Sequence, residues 1–288
     1  MRRSATIAAG GTGGASRRWR GVAAIGGFAL AAYAALCVWF AVHQREFQYT
    51  LGGNRATPQE AGVAGFAAVE IPTEDGERLS GWWAPPPAGA GVVLFLHGTP
   101  GTVPDNAWRL MPLRDAGLGV LAIDYRGYGA STGRPTETGL RADARAAFDF
   151  VRRTAPQAKI AVFGESMGTG PAVGLANDRP VAGLLLNSPY ASVRRLYELR
   201  GPPLPYRLIL ADQYDAEALI RGITAPLMIL AGTADEATPI GEARRLFAAA
   251  RGPKTMIEAE GMPHLMAFQG DNETAAIAAL RAWTAAPR

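Results

Sequence analysis

The chain has 288 residues, 48% of them hydrophobic, and a formal net charge of +4. This length and apolar content suit one sizeable domain. Five arginines and no acidic residue fall in residues 1–42, and removing these five charges from +4 leaves −1 for residues 43–288. The body therefore lacks the basic surface of a nucleic-acid-binding protein. The one cysteine, Cys37, lies in the leader, which excludes an intramolecular disulfide and a cysteine-based metal site in the body.

The first segments of the chain predict a membrane anchor. Residues 1–20 are rich in glycine and arginine, and we expect a disordered cytoplasmic tail. Residues 21–42 are uncharged and mainly apolar, and as a helix they would span about 33 Å, enough to cross a bilayer. The arginines before this run predict a cytoplasmic N-terminus and an extracytoplasmic body, periplasmic if the source is bacterial. A cleaved signal peptide is the competing interpretation. Residues 43–65 are predicted to be a polar linker.

Residues 66–288 predict one catalytic domain of the α/β class. Apolar runs typical of buried strands alternate with helical segments, which favours a mostly parallel sheet with helices on both faces. The predicted strands are 66–72, 79–84, 92–96, 119–124, 159–164, 183–187, 226–231 and 254–258. The predicted helices are 105–116, 138–154, 167–176, 241–250 and 273–285. Only a small lid fits in residues 193–225.

The most informative motif of the domain is Gly164-Glu165-Ser166-Met167-Gly168, between a predicted strand and a predicted helix. A turn this sharp strains the serine backbone, and side chains at 164 and 168 would collide with the neighbouring strand and helix. The serine hydroxyl would then project above the carboxyl edge of the sheet. We predict Ser166 as a nucleophile, with Gly164 and Gly168 forming the nucleophile elbow.

A serine hydroxyl needs a base to take its proton, and the chain has three histidines. His43 lies at the end of the predicted span. His97 directly follows a strand and is expected to have a structural role. His264 follows the last predicted strand, so elimination makes it the base.

A carboxylate must orient the imidazole and stabilise its charged form. Asp235 directly follows the strand 226–231 and is the preferred candidate. Glu236 is the nearest rival, whereas Asp212 and Asp215 fall in the predicted lid.

Acyl transfer also needs donors for the oxyanion of the tetrahedral intermediate. The backbone N–H of Met167, next after the nucleophile, is one candidate. The second is expected from the oxyanion loop His97-Gly98-x-x-Gly101, at the N–H of Thr99, since Pro100 has none.

Other polar residues after strands favour structural roles. Asp124 and Arg126 are expected to tie a strand-end turn through an internal ion pair. Ser131, Ser188 and Ser192 lack the elbow and a nearby base, which predicts turn residues.

The chain resembles the α/β-hydrolase superfamily, and more closely its membrane-anchored branch of bud-emergence-type hydrolases and protein depalmitoylases. The likeness covers roughly residues 57–285. The matching motifs are His97-Gly98-x-x-Gly101, Asp124-Tyr125-Arg126-Gly127-Tyr128-Gly129-x-Ser131, Gly164-Glu165-Ser166-Met167-Gly168-Thr169-Gly170, Gly232-x-x-Asp235-Glu236 and Gly261-x-x-His264. The resemblance implies an eight-stranded, mostly parallel sheet with an antiparallel second strand, and the Ser166, Asp235, His264 triad in that chain order. Pro263 departs from the pattern, since relatives tend to place glycine directly before the histidine.

The sequence therefore predicts a membrane-anchored serine hydrolase that cleaves carboxylic esters or thioesters through an acyl-enzyme. An amidase or peptidase, an acyltransferase, and a non-catalytic membrane-tethered binding domain remain alternatives. A small-molecule or lipid-like acyl compound is the expected partner, with neither cofactor nor metal. The sequence leaves the oligomeric state open.

Overall fold

The computed structural model describes residues 13–285, which divide into two compact units after His43. The first helix, α1 (Gly13–Gln48), is longer than predicted at both ends. Residues 13–20, predicted to be disordered, are helical, and the helix runs six residues into the predicted linker. No proline precedes Pro58, so nothing interrupts the helix at either end of the apolar run. The alanine and arginine residues before the run and the arginine and glutamine residues after it favour helix. Residues 1–12 of the predicted tail lie outside the described residues.

Length and composition make residues 19–48 of α1 a candidate membrane span. The apolar run 21–42 that the sequence predicted lies within it. A signal sequence near an N-terminus would show the same length and apolar character.

The body, residues 44–285 as described, is built on an eight-stranded sheet. Its strands are β1 (Ala67–Pro72), β2 (Arg78–Ala84), β3 (Val92–Leu96), β4 (Gly119–Ile123), β5 (Ile160–Glu165), β6 (Gly183–Asn187), β7 (Leu227–Gly232) and β8 (Lys254–Ala259). They lie in the order β1-β2-β4-β3-β5-β6-β7-β8. β2 pairs antiparallel with both of its neighbours, and the remaining pairs are parallel. This is the predicted topology, so the α/β-hydrolase fold is confirmed.

Helices cover both faces of the sheet. They are α2 (Ala107–Asp115), α3 (Glu137–Thr154), α4 (Thr169–Asp178), α5 (Val193–Arg200), α6 (Tyr206–Ile209), α7 (Ala216–Ile220), α8 (Ile240–Ala249) and α9 (Asp271–Thr284). Alternate side chains of each strand face opposite layers. In β3, Leu94 and Leu96 pack in the core under α3, α4, α7 and α8. Val93 and Phe95 pack under α2 and α9.

Residues 193–214, which carry α5 and α6, form a small cap in the region of the predicted lid. The last turn of α1 is fastened to this cap. The Gln44 amide donates to Ile209 O (3.0 Å) and accepts from Ala211 N (2.6 Å). Arg45 Nε donates to Asp212 Oδ2 at 2.7 Å. Residues 44–48 are therefore part of the folded body, not a linker.

Candidate active site

The turn after β5 holds Ser166 in a left-handed backbone conformation, with φ at +49°. Such a conformation is costly for a residue with a side chain and persists only where its surroundings enforce it. A Cβ at Gly164 would lie 2.7 Å from Gly168 O. A Cβ at Gly168 would lie 2.1 Å from Leu96 O, at the end of β3. The close approach of β5, α4 and β3 thus requires glycine on both sides of the serine.

The structure brings Ser166, His264 and Asp235 into one hydrogen-bonded chain. Ser166 Oγ lies 3.0 Å from His264 Nε2. His264 Nδ1 lies 2.8 Å from Asp235 Oδ2 and 3.0 Å from Asp235 Oδ1. Because a carboxylate only accepts hydrogen bonds, Nδ1 carries the imidazole proton and leaves the Nε2 lone pair facing the serine hydroxyl.

Asp235 is held in its ionised form by several donors. Its Oδ1 accepts from the backbone N–H groups of Ala237 and Thr238, both at 2.8 Å. Its Oδ2 accepts from Thr238 Oγ1 at 2.9 Å. Burial acts to raise the pKa of Asp235, but the hydrogen bonds from His264 and Thr238 outweigh it, so the pKa lies below its usual value.

The competing acids do not face the histidine. Glu236 is exposed to solvent. Asp212 pairs with Arg45, and Asp215 caps α7 by accepting from Ala218 N.

The two predicted oxyanion donors, Thr99 and Met167, line the same pocket as Ser166. Within residues 13–285, neither backbone N–H has a protein acceptor. Gly98 lets this loop approach the nucleophile, since a Cβ there would lie 3.2 Å from Ser166 Cβ. Gly101 turns the loop with a φ of +89°. Two unused donors beside a serine hydroxyl are what an oxyanion hole requires.

His97 is fully buried under this loop, and its Nδ1 donates to Gly98 O at 2.7 Å. Its Nε2 lies 3.7 Å from Asp124 Oδ1. Burial lowers the pKa of His97 to about 4 and raises the pKa of Asp124 to about 7, so both groups are uncharged near pH 6. The pair packs the loop and does not reach Ser166.

The predicted ion pair between Asp124 and Arg126 is wrong. Arg126 instead binds Asp143 on α3 and Asp75 in the β1–β2 turn. Asp124 accepts from Val103 N at 2.7 Å, on the side of the oxyanion loop. Both partners of Arg126 are distant in sequence, so the local motif carried no sign of them.

The loop between β8 and α9, residues 260–270, carries His264 and is called the histidine loop below. Four further residues support it, and none of the four was assigned to the site from sequence. Ser188, expected to be an ordinary turn residue, accepts from Leu265 N at 3.0 Å. Asn187 Nδ2 donates to Leu265 O at 3.0 Å and to Glu165 Oε1 at 2.9 Å. Arg109 donates to Leu265 O and Phe268 O and faces Glu165. The elbow motif marked Glu165 by position but gave no indication of its partners.

A pocket of about 250 Å³ opens beside Ser166. The apolar side chains of Val193 and Leu196 on the cap form part of its wall, and Arg200 lies at the end of the same helix. Tyr49 reaches it from the segment after α1, where its hydroxyl lies 2.8 Å from that of Tyr214. This volume approaches the lower end of small-molecule sites, about 300–1,000 Å³.

No group of three metal-binding side chains occurs in the described part of the chain.

A family model of the α/β hydrolase fold matches residues 91–216. The uncharacterized protein Rv2307c of Mycobacterium tuberculosis is 41% identical over 200 residues, which cover 68% of this chain and 71% of that protein. The chain therefore belongs to the α/β-hydrolase family.

The chain is also similar to a named lipase in sequence and to a named esterase in fold. The lysophosphatidylserine lipase ABHD12 of Xenopus tropicalis is 29% identical over 176 residues, 54% of this chain and 46% of that protein. The Pyrococcus furiosus esterase Pf2001 has the same fold, with a TM-score of 0.65, 21% identity, and coverage of 82% of this chain and 97% of that one. Fold and neighbours together support a hydrolase.

Replacing Gly168 by alanine is expected to destabilise the body by about 2–4 kcal/mol, because the new methyl group would overlap Leu96 O. Gly241→Ala is the matched control, since a Cβ in this exposed turn of α8 meets nothing within 4 Å. The control substitution should raise the free energy of unfolding by about 0.5–1 kcal/mol. Denaturant unfolding of both variants measures the difference, and equal stability would contradict the packing argument.

Proposed function

We propose that this protein is a membrane-anchored serine hydrolase that cleaves carboxylic esters or thioesters through Ser166, His264 and Asp235. The observation that carries the proposal is the 3.0 Å contact between Ser166 Oγ and His264 Nε2, beside two backbone N–H groups without protein acceptors. A nucleophile, a base and an oxyanion site in one pocket are the parts that acyl transfer needs.

The proposed reaction has two halves. Ser166 Oγ attacks the acyl carbon while His264 Nε2 takes its proton, and the N–H groups of Thr99 and Met167 hold the oxyanion. His264 then protonates the leaving alkoxide or thiolate, which departs as alcohol or thiol. Water attacks the acyl-enzyme, gives its proton to His264, and the released serine recovers it as the carboxylic acid leaves. Asp235 stabilises the imidazolium in both halves.

The pocket favours an acyl group of modest length. Its wall beside Ser166 is largely apolar, and the cap supplies much of it. The name of the ABHD12 relative specifies a lysophosphatidylserine lipase, so single-chain lipid esters belong among the substrates to test. The resemblance to membrane-anchored depalmitoylases adds thioesters to that set.

A fluorophosphonate probe is expected to label the wild-type chain and to spare Ser166→Ala, because the probe reacts with an activated serine. Ser80→Ala, which changes a serine on β2 outside the site, should label as the wild type does. His264→Ala should lower kcat by about 10⁴-fold or more. Labelling of Ser166→Ala at the wild-type rate would reject the proposal.

Leu196→Trp is expected to fill the pocket and to exclude longer acyl chains. The value of kcat/KM for p-nitrophenyl octanoate should fall at least about tenfold, while that for the acetate stays within about threefold. Leu208→Trp is the control, because Leu208 is 83% exposed on the cap and does not line the pocket. Octanoate activity that stays at the wild-type level would show that the acyl chain binds elsewhere.

Residues 21–42 are proposed to anchor the protein with its N-terminus in the cytoplasm and its body outside. Protease added to intact cells or spheroplasts should then remove a C-terminal tag, while an N-terminal tag stays protected and attached to the membrane. Protection of the C-terminal tag until lysis would reverse the topology, and loss of the N-terminal tag from the mature chain would indicate a cleaved signal.

A further inference from the structure

Helix α2 places an arginine in the core beneath the candidate site. Arg109 is 0% exposed and lies between the sheet and the loop that follows β8. Its Nε lies 2.8 Å from Oε1 of Glu165, which is 1% exposed. A protein is often equally stable when apolar side chains of similar volume replace a buried ion pair. Stability alone is therefore a weak explanation for the Arg109–Glu165 pair.

Both Nη atoms of Arg109 donate to the histidine loop. Nη2 donates to Leu265 O at 2.7 Å, and Nη1 donates to Phe268 O at 2.8 Å. Leu265, the residue directly after His264, has a φ of +66°. A leucine is strained in this left-handed conformation and needs outside contacts to stay there. The planar guanidinium therefore clamps two carbonyls of the turn that presents His264.

Arg109, Glu165 and Asn187 form a polar cluster that also includes the residue before the nucleophile. Glu165 precedes Ser166 in the chain, and Asn187 donates both to Glu165 Oε1 and to Leu265 O. Arg109 and Asn187 thus connect the last residue of β5 to the residue after His264. The distance between Ser166 Oγ and His264 Nε2 depends on how these two segments are held relative to each other.

We propose that Arg109, paired with Glu165, is the positioning residue that keeps His264 within hydrogen-bond reach of Ser166. It touches neither substrate nor reacting atoms and acts through the backbone of residues 265–268. The inference rests on the proposed hydrolase function for its kinetic effect, while the geometry of the His264–Asp235 pair can be measured independently of activity.

The test uses the full chain in detergent with Arg109→Met/Glu165→Gln. This double change removes the clamp without leaving an unpaired buried charge, so the variant should still fold. Its thermal stability should fall moderately, because Phe268 O and Leu265 O lose the donors that Arg109 supplies. For p-nitrophenyl butyrate, kcat should fall about 100-fold with KM nearly unchanged, because a displacement near 1 Å is enough for such a loss. In the wild type, the Nδ1 proton of His264, which is hydrogen-bonded to Asp235, is expected to give a downfield proton NMR resonance. In the double variant this resonance should disappear or move.

Arg126→Met/Asp143→Asn is the matched control, since it removes another buried arginine–carboxylate pair that does not contact the histidine loop. Its kcat and downfield resonance should remain near the wild-type values. If the Arg109 double variant fails to fold, Arg109→Lys keeps the positive charge but cannot hold both carbonyls, and kcat should fall about tenfold with stability retained.

Two outcomes would overturn the positioning role. One is a folded Arg109 variant with wild-type kcat, and the other is an unchanged downfield resonance. A wild-type chain that neither hydrolyses esters nor reacts with fluorophosphonate would instead reject the proposed function. In that case loss of the resonance in the Arg109 variant, but not in the control, would still support the clamp.

Discussion

The left-handed backbone at Ser166 is the constraint on which the candidate site depends. It turns the chain from β5 into α4 within a few residues and leaves the serine hydroxyl above the end of the sheet. The turn is possible only with glycine at positions 164 and 168, because carbonyl oxygens of neighbouring segments occupy the space where side chains would lie. Strain at one residue is thus maintained by tight packing around it.

The parallel sheet brings the other groups to that point. The oxyanion loop follows β3, Ser166 follows β5, Asp235 follows β7 and His264 follows β8. Because parallel strands end at the same edge, residues separated by almost a hundred positions meet within hydrogen-bond distance. The clustering of the candidate site residues is therefore a direct result of strand order, and the loops after the strands carry these residues.

The sequence predicted those parts that follow from local patterns. Apolar runs between helical segments indicated the six strands β3 to β8, because buried parallel strands tend to be continuously apolar. The antiparallel strands β1 and β2 were predicted instead as two strand patterns joined by a turn. Glycine spacing marked the elbow, and the small number of histidines led to His264. The structure places Asp235 and His264 beside Ser166, while their catalytic roles remain predictions.

Long-range polar contacts could not be predicted in the same way. Arg109 lies in an ordinary helical segment and Asp143 in another, and neither has a periodicity that marks its buried partner. Ser188 was expected to be a turn residue, and only the fold shows that its hydroxyl accepts from Leu265. The end of α1 was placed too early because polar residues there suggested a linker, whereas Gln44 and Arg45 are polar because they bind the cap.

That attachment of α1 bears on how the protein could be released from a membrane. Gln48 and Tyr49 line the pocket, and Gln44 and Arg45 hold residues 209–212 of the cap. A protease that cut beyond Tyr49 would release a fragment that lacks three residues of the pocket lining, Phe47, Gln48 and Tyr49. A cut before Gln44 would keep every residue of the pocket lining, so the position of cleavage would decide whether the released fragment keeps a complete pocket.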